Sequence, residues 1–355
     1  MKKKINNQYI LFYLITLLFF SYFFLYFKHQ VGNDSTVSEW LINYEGGFTR
    51  RGFIGQGMVL LSRLFDSELR WTIFLSQSFF CTVYFFLLWC LLKDIKANKI
   101  IYLSIFTPIF ILYPIAEIEV LARKEIIVFT FFLIYLLIPV HYKFKSFSLF
   151  LFSFFSVLVW EPIIFFFPLI FLYLMIENKI EKFNLNFIKK ISFMIPSILL
   201  ALYIAKNPLS DSEWKIMASV LKNEFGETCY MSCGLLKSKS TIFQQFQGNA
   251  NKYSFEVILR YSLIILVGFY PISLLLKNST VKTKKLIFIQ NFKNLFIPFS
   301  IAISPVILLF AMGYDWGRWV NISYVISALI LFTLMKNKKV KLNTSLLKQN
   351  FLCKL

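Results

Sequence analysis

The longest apolar stretch of the chain covers residues 146–176 and reads SFSLFLFSFFSVLVWEPIIFFFPLIFLYLMI. Only Trp160, Glu161 and Pro162 interrupt it, and lysines flank it at both ends. A helix crosses the hydrocarbon core of a bilayer in about 20 residues, so these 31 residues are long for one crossing. The residue before a proline avoids helical backbone angles. We therefore predict a tight hairpin or re-entrant pair of helices, with Glu161 near the outer surface and both ends on the lysine-rich side.

The rest of the chain has the composition of a membrane protein. Of its 355 residues, 58% are hydrophobic and 44 are Phe, and the mean hydropathy is +0.66. Apolar runs of about 20 residues are typical of membrane-spanning helices. We predict an all-α integral membrane protein, a single polytopic domain over residues 1–355 with about ten transmembrane helices. The predicted spans are residues 9–27, 72–92, 100–116, 126–142, 146–160, 162–176, 191–205, 257–276, 295–313 and 321–335.

The charged residues divide between the two sides of this predicted bundle. Lysine runs occupy alternate loops, which places those loops and both termini in the cytoplasm by the positive-inside rule. Topology and anionic lipid thus explain the net charge of +20, and we expect no nucleic-acid partner. All seven arginines and fifteen of the eighteen acidic residues fall on the outer side. Because the guanidinium group is a rigid fork that suits phosphate and carboxylate, we expect recognition chemistry on this side.

The first outer loop, NYEGGFTRRGFIGQG at residues 43–57, contains five glycines and two adjacent arginines. Glycine lets backbone amides approach a ligand closely, and successive amides in a turn form an anion-binding concavity. Arg50 and Arg51 would complete such a site for a phosphate or carboxylate. The apolar periodicity of residues 58–65 predicts a short surface helix after it. A simple glycine-rich connection between the first span and this helix is the alternative.

The loop EIEVLARKE at residues 117–125 is a second candidate. Glu119 and Arg123 are four residues apart, so we expect them on one helical face, with Arg123 and Lys124 at the membrane surface. A helix start with an ordinary ion pair is the alternative interpretation.

The third candidate is YDWGRW at residues 314–319, between the last two spans. Interfacial tryptophans commonly anchor a span, so Trp316 and Trp319 alone indicate little. Asp315 and Arg318 add an ion pair that an anchor does not need, and tryptophan faces are common platforms for sugar rings. Glu161 is the fourth candidate, because an ionisable group at membrane depth is costly and usually functional. Capping of the hairpin would also explain it.

The long outer loop, residues 206–256, has little catalytic chemistry. Its residues 210–223 are amphipathic and predict a helix resting on the membrane or covering the site. Cys229 and Cys233 are spaced to form a small disulfide, but the sequence leaves this open. The two histidines, His29 and His141, lie on opposite sides of the membrane, so we expect no metal site, and no cofactor motif is present.

Four elements together resemble membrane proteins of bacterial surface-polysaccharide gene clusters. They are GFTRRGFIG at residues 47–55, RKE at 123–125, Glu161 followed by Pro162 and Pro168, and DWGR at 315–318. The whole chain is similar to O-antigen polymerases of the Wzy type. Such polymerases often have two large outer loops, whereas this chain has one long loop and one of intermediate length. A related glycosyltransferase with a GT-C-like fold therefore remains open.

The resemblance implies a metal-independent, inverting glycosyltransferase at the periplasmic face of the bacterial inner membrane. It would join glycan repeat units carried on undecaprenyl pyrophosphate, without a cofactor. Cationic side chains would hold the pyrophosphate, a carboxylate would accept the proton of the acceptor hydroxyl, and tryptophans would contact sugar. The residues implied are Arg50, Arg51, Arg123, Lys124 and Arg318 for the anion, Glu45, Glu161 or Asp315 for the base, and Trp316 and Trp319 for the glycan. The sequence leaves open whether a chain-length regulator binds the long loop.

Two other functions fit the same features. A transporter or flippase for a lipid-linked oligosaccharide would place charge along a cavity through the bilayer. The predicted spans are nearly free of charge and the outer surface is rich in it, which favours the enzyme. A structural partner in an assembly is the third hypothesis.

Overall fold

The computed structural model describes residues 7–30, 35–95, 98–180, 185–228, 231–234, 236, 242–281, 289 and 292–343. Its α-helices are α1 (Gln8–Gln30), α2 (Ser35–Leu41), α3 (Gly52–Phe65), α4 (Leu69–Leu92), α5 (Lys99–Phe106), α6 (Tyr113–Ala116), α7 (Glu125–Leu137), α8 (Lys145–Val159), α9 (Phe167–Asn178), α10 (Leu185–Ser192), α11 (Ile195–Lys206), α12 (Asp211–Phe225), α13 (Met231–Gly234), α14 (Ile242–Asn249), α15 (Phe255–Lys277), α16 (Phe296–Ile303), α17 (Ile307–Met312) and α18 (Trp316–Lys336). Two short strands, β1 (Ser279–Val281) and β2 (Val340–Leu342), pair antiparallel.

Seven helical segments are long and apolar enough to cross a membrane. They are Gln8–Gln30, Leu69–Leu92, Lys99–Ala116, Glu161–Asn178, Phe187–Lys206, Phe255–Lys277 and Trp316–Lys336. Four shorter apolar helices accompany them, at Gly52–Phe65, Glu125–Leu137, Lys145–Val159 and Phe296–Met312. The all-α, multi-pass membrane class is therefore confirmed. The count of ten spans stays a prediction, because three of the predicted spans coincide with the shorter helices.

Helix α18 is the centre of the bundle. In its most apolar window 89% of the residues are buried, against 17% for α15, which therefore faces outward. Helix α18 packs against α4, α7, α9 and α15. A side chain in the first turn of α18 is thus surrounded by several other elements.

A proline-induced irregularity beside α18 is stabilised by polar side chains. Pro108 has no amide hydrogen, so the carbonyl of Ser104 lacks its usual helical donor. The Tyr324 hydroxyl donates to that carbonyl instead, at 2.8 Å. The chain then forms a π-helical turn over Pro108–Leu112, and the Asn321 amide donates to two carbonyls of this turn. These bonds fix the register of α18 against its neighbour.

The predicted hairpin is confirmed. Helix α8 ends at Val159, Trp160 is extended, and a 3-10 turn over Glu161–Phe166 leads into α9. At the far ends of the two helices, the Lys145 Nζ and Glu177 Oε1 atoms are 4.0 Å apart. The start of α8 and the end of α9 therefore meet, and Glu161 lies at the opposite end of the hairpin.

Arginine and lysine separate as the sequence indicates. At the end that holds Lys145, Lys336 pairs with Asp94 at 3.0 Å and Lys339 donates to the carbonyl of Glu177 at 2.8 Å. We call this the lysine end, and the two-stranded ribbon, which the sequence did not predict, closes it. We call the other end, with Glu161 and the start of α18, the arginine end. Lys2 to Lys4 and Cys353 lie outside the described residues.

The amphipathic helix predicted in the long loop is confirmed as α12. Ser210 and Glu213 form a capping box at its start, and Met217 and Leu221 are buried on its inner face. It packs on the glycine-rich loop so closely that a Cβ atom at Gly46 would lie 1.9 Å from the carbonyl oxygen of Glu213. Cys233 is disulfide-bonded and buried. Cys229 lies outside the described residues, so the predicted pairing stays a prediction.

Candidate functional site

The centre of the site is Glu39, in the short helix α2. Its side chain is 1% exposed. The helix is held in place by the chain that leads into α7: Thr36 donates to the carbonyl of Ile118 at 3.1 Å, and the Trp40 indole donates to the carbonyl of Ala122 at 3.0 Å. Glu39 is thereby fixed against the segment that carries Arg123.

Three guanidinium groups from different parts of the chain converge on Glu39. Its Oε1 atom accepts from Arg123 at 2.6 Å, from Arg318 at 3.3 Å and from Arg51 at 3.5 Å. Burial opposes ionisation of this carboxyl group, but the three positive charges outweigh it and hold the pKa of Glu39 well below its usual range. Glu39 is therefore a permanent anion that joins the three arginines.

Arg51 also binds the tip of the hairpin. Its Nε and Nη2 atoms donate to the two carboxylate oxygens of Glu161 at 3.1 and 3.2 Å, a bidentate pair. The Arg51 backbone is left-handed, with φ 62°, which costs an ordinary residue roughly 1–2 kcal/mol. Two contacts stabilise this conformation: the Glu161 pair, and a hydrogen bond from the Lys124 ammonium to the Arg51 carbonyl.

Lys124 is completely buried beneath this pair. Burial lowers the pKa of its ammonium group to about 7, even though the negative charge of Glu39 opposes the shift. The positive charge of Arg51 adds to the lowering. Lys124 therefore loses its charge more readily than an exposed lysine.

Arg318, in the first turn of α18, connects the remaining carboxylates. Its side chain is 3% exposed, and it contacts Glu125 and lies 3.3 Å from Asp315. The guanidinium also lies 5.3 Å from the ring centre of Trp319, which stacks on Trp160. Burial of Arg318 against three carboxylates and an aromatic face fixes its orientation.

The cluster is close to electrically neutral without a ligand. Its four carboxylates and four cations are Glu39, Glu125, Glu161 and Asp315 with Arg51, Arg123, Lys124 and Arg318. Asp315 is the most exposed member, at 54%, and both of its contacts are long, 3.3 Å to Arg318 and 3.6 Å to Arg123. An incoming anion would therefore displace Asp315 most easily.

Two hydrogen-bond donors of the cluster have no acceptor in the described part of the chain. Among the described residues, the buried Nε atoms of Arg123 and Arg318 have no hydrogen-bond acceptor. A buried donor without an acceptor costs about 1–3 kcal/mol. A ligand oxygen that reached either atom would remove this cost.

A narrow apolar cavity of about 40 Å³ begins at the same place. Arg123, Glu125 and Arg318 form its charged end, and most of its remaining wall is apolar. That wall includes Tyr84, Phe85, Phe110, Phe129 and Val325. The arrangement suits an amphiphile, with its anionic group at the arginines and part of its apolar chain in the cavity.

The structure brings together six of the residues predicted from sequence. They are Arg51, Arg123, Lys124, Glu161, Asp315 and Arg318. Trp319 joins them through its contact with Arg318. Burial lowers the pKa of the Arg50 guanidinium, and the nearby negative charge of Glu161 partly opposes this shift. Trp316 instead packs in an aromatic group with Tyr253 and Tyr261.

Glu45 belongs to a different network. It accepts from Arg63 at 2.9 Å and from Gln56 at 3.1 Å, and these two hydrogen bonds are the main reason that its pKa is lowered. Arg63 in turn binds Glu224 of α12. This peripheral network joins α3 to the long loop, and no contact between Glu45 and the cluster was found among the described residues.

The prediction that Glu119 and Arg123 lie on one helical face is wrong. The chain forms only a 3-10 turn over Ile118–Val120, Ala122 is left-handed, and α7 begins at Glu125. Glu119 pairs with Lys28 at 2.9 Å, and Arg123 points to Glu39. The irregular backbone is what lets Arg123 and Lys124 both enter the cluster.

The glycines of the first outer loop serve close packing. A Cβ atom at Gly55 would lie 1.9 Å from the carbonyl oxygen of Ile42, and one at Gly52 would lie 2.2 Å from the ring of Tyr44. The predicted anion-binding concavity of backbone amides stays a prediction.

Sequence reasoning missed Glu39, and it recognised Glu125 only as part of a motif. Glu39 lies in STVSEWL, a helix of seven residues that is too short to show a period. The available signal was the concentration of all seven arginines and most of the acidic residues on one side. Among the described residues, no group of three or more His, Cys, Asp or Glu side chains is arranged to hold a metal ion.

No protein-family model matches this chain, and comparisons with curated proteins and with solved structures gave no significant match. The fold and the site define a multi-pass helical membrane protein with a buried arginine–carboxylate cluster at one end.

Proposed function

We propose that this protein is a membrane glycosyltransferase that joins undecaprenyl-pyrophosphate-linked glycan units at the periplasmic face of the bacterial inner membrane. The observation that carries this proposal is the cluster of Arg51, Arg123 and Arg318 around Glu39, above an apolar cavity. A polyprenyl pyrophosphate matches this arrangement, because its anionic head group suits the arginines and its apolar chain suits the cavity. The resemblance to O-antigen polymerases points to the same substrate.

In this mechanism the donor pyrophosphate binds Arg123 and Arg318 and displaces Asp315 from them. The acceptor hydroxyl oxygen attacks the anomeric carbon from the opposite face, and the bond from that carbon to the pyrophosphate oxygen breaks with its electron pair. The guanidinium groups stabilise the negative charge that develops on the leaving pyrophosphate. Because they are fixed by buried carboxylates, they need little rearrangement during the reaction.

Asp315 is the best-placed proton acceptor of the three carboxylates considered. Glu161 is bound bidentately by Arg51, and Glu45 belongs to the peripheral network. Asp315 is half exposed and held only by long contacts, so it is free to accept the proton once pyrophosphate has displaced it. Trp319, stacked on Trp160 beside the cluster, offers a face for a sugar ring.

The transporter alternative has weaker support. A flippase needs polar groups between the two membrane surfaces. Helix α18, the most buried of the membrane-spanning helices in the described part of the chain, has no charged residue between Arg318 and Lys336. The charged cluster is confined to one end, which favours chemistry at a surface. A GT-C-like transferase that adds a single sugar from a lipid-linked donor fits the same site. A bundle of ten membrane spans is compatible with either enzyme.

The test compares surface polysaccharide on gels from a strain that lacks the gene and from strains that carry wild type, Arg123→Ala or Arg63→Ala at equal membrane abundance. Arg63→Ala is the matched control, because it removes an arginine from the peripheral network. We expect Arg123→Ala to reduce the ladder to one repeat unit, and the control to retain it.

Other outcomes contradict the proposal. A truncated lipid-linked precursor in the deletion strain would indicate a transferase that builds the repeat unit. A complete precursor trapped on the cytoplasmic leaflet would indicate a flippase. An unchanged ladder in Arg123→Ala would show that the cluster has no part in polymerisation.

A further inference from the structure

A second cavity, which is polar and has a volume of about 230 Å³, lies at the lysine end and is not used by the proposed reaction. The connection between α7 and α8 and the end of α9 form its walls. Its charged side chains are Lys143, Lys145, Lys190 and Glu177, with His141 beside them. Three lysines against one carboxylate leave this cavity positively charged.

Lys145 and Glu177 form the buried base of the cavity. The Lys145 ammonium donates to the carbonyls of Tyr135 and Ile138 at 2.6 and 2.7 Å, near the end of α7, and it lies 4.3 Å from the ring centre of Tyr135. Glu177 accepts from the Tyr173 hydroxyl. These two charges therefore satisfy one another and the local backbone, and the excess charge of the cavity belongs to Lys143 and Lys190.

Lys143 and Lys190 are placed to bind a ligand. Lys143 is exposed and has no hydrogen-bond or ion-pair partner within the described part of the chain. Lys190 reaches across from α10 and donates to the side chain of Asn178, a neutral acceptor. Lys190 also lies close enough to Glu177 to interact with its charge, but that carboxylate is already paired with Lys145, so the excess positive charge suits one phosphate group.

An open apolar groove of about 330 Å³ adjoins this cavity. Leu87, Ile134, Leu137 and Phe144 line it, and Tyr142 lines both the groove and the cavity. Ile134, Tyr142 and Phe144 are each more than 40% exposed. In a membrane protein such a groove faces the acyl chains of the surrounding leaflet.

We infer that the cavity and the groove together bind one anionic glycerophospholipid from the leaflet at the lysine end. Lys143 and Lys190 bind its phosphate, Tyr142 lies at the junction, and one acyl chain occupies the groove. Charge complementarity selects an anionic lipid over a zwitterionic one. The lipid fastens the open end of the α8–α9 hairpin, whose other end presents Glu161 to the arginine cluster.

The experiment is native mass spectrometry of the full-length protein released from detergent with added phosphatidylglycerol or phosphatidylcholine. The test variant is Lys143→Gln/Lys190→Gln. The matched control is Lys93→Gln/Lys341→Gln, which removes the same charge at the same end from residues that do not line the cavity. Each lysine near anionic lipid is worth about fivefold in binding, so we expect about a 30-fold loss of phosphatidylglycerol affinity in the test variant. The control should stay within about twofold of wild type.

Three results would overturn the inference. Equal losses of phosphatidylglycerol affinity in the test and control variants would indicate a general charge effect. Binding of phosphatidylcholine to the wild-type protein as tightly as phosphatidylglycerol would indicate no selection for an anion. Competition by glycerol 1-phosphate at the same concentration as the lipid would show that the apolar groove has no role. Because this site is remote from the arginine cluster, none of these results bears on the proposed reaction.

Discussion

The two ends of the bundle both bury ionised side chains, but they do so in different ways. At the arginine end Glu39 accepts from three guanidinium groups, and Arg318 contacts three carboxylates. At the lysine end Lys145 and Glu177 form a single pair at 4.0 Å, supported mainly by backbone carbonyls and a tyrosine hydroxyl. A guanidinium can join several acids, whereas an ammonium acts as a point charge. The buried charges of the lysine end therefore form an isolated pair, whereas those of the arginine end form a connected network.

The largest effect should come from Arg318→Ala, which removes the residue that joins most carboxylates. Glu39 and Glu125 would stay buried with one cation fewer. Breaking a buried ion pair by removing one partner costs about 3–5 kcal/mol, and we expect that loss in the free energy of unfolding together with complete loss of the polysaccharide ladder. Denaturation of the purified protein in detergent measures the first, and gels measure the second. Wild-type stability in this variant would show that the cluster is not a connected network.

Asp315→Asn should separate catalysis from stability. Asp315 is half exposed, so the free energy of unfolding should change by less than about 1 kcal/mol. Turnover should fall by roughly 100-fold or more, because the acceptor proton loses its base. Binding of the pyrophosphate donor should be retained or tightened, since a competing carboxylate has been neutralised. Steady-state kinetics on a purified lipid-linked substrate would show a lower kcat without a higher KM, and the opposite pattern would exclude Asp315 as the base.

The pH dependence of donor binding should report on Lys124. Its folded pKa of about 7 lies below its usual value, so the charged form that attracts an anion exists mainly below pH 7. A pyrophosphate diester does not titrate in this range. An interaction of about 1–2 kcal/mol with one nearby charge should therefore lower donor affinity by roughly fourfold to eightfold between pH 6 and pH 8. Lys124→Met should give a flat profile, and a profile that stays steep in this variant would assign the titration to another group.

At the lysine end, Lys145→Met should cost less than Arg318→Ala. Glu177 keeps its hydrogen bond from Tyr173 and can take up a proton to relieve its charge. We expect a loss of about 1–2 kcal/mol in the free energy of unfolding and a normal polysaccharide ladder. Loss of the ladder at normal protein abundance would show that the two ends do not differ in function.

The smallest effect should come from Arg63→Ala in the peripheral network. Arg63 binds Glu45 and Glu224 at short distances, but its side chain is 36% exposed. Exposed ion pairs contribute about 0–1 kcal/mol, and they weaken in salt. Thermal melting at low and high salt should therefore differ little between this variant and wild type. A loss comparable with that of Arg318→Ala would mean that burial does not explain the difference between the two networks.

Much of this fold follows from the sequence, because apolar periodicity and the lysine distribution are local signals. They predicted the hairpin break at Trp160, the helix of the long loop, and the arrangement of arginines and lysines at opposite ends. The charged residues of the outer loops and of the hairpin tip also indicated Arg51, Arg123, Glu161 and Asp315 as candidates, and the structure brings these four together.

The features that the sequence did not predict depend on contacts between residues that are far apart in the chain. Glu39 is 279 residues from Arg318, and nothing local indicates that they meet. The backbone between Glu117 and Glu125 looked helical by spacing, yet the contacts of Lys28 with Glu119 and of Trp40 with Ala122 stabilise an irregular path. Glu45 looked catalytic because of its neighbours in sequence, but Arg63 draws it into the peripheral network.

The most direct test of the central claim exchanges the two cations between the ends, as Arg318→Lys and Lys145→Arg, and measures the surface polysaccharide ladder at equal membrane abundance. Both variants keep the charge, and only the first removes a guanidinium fork from the cluster. The account predicts that Arg318→Lys loses the ladder and that Lys145→Arg retains it. A full ladder in Arg318→Lys would contradict the account, because a point charge would then be sufficient at the arginine end.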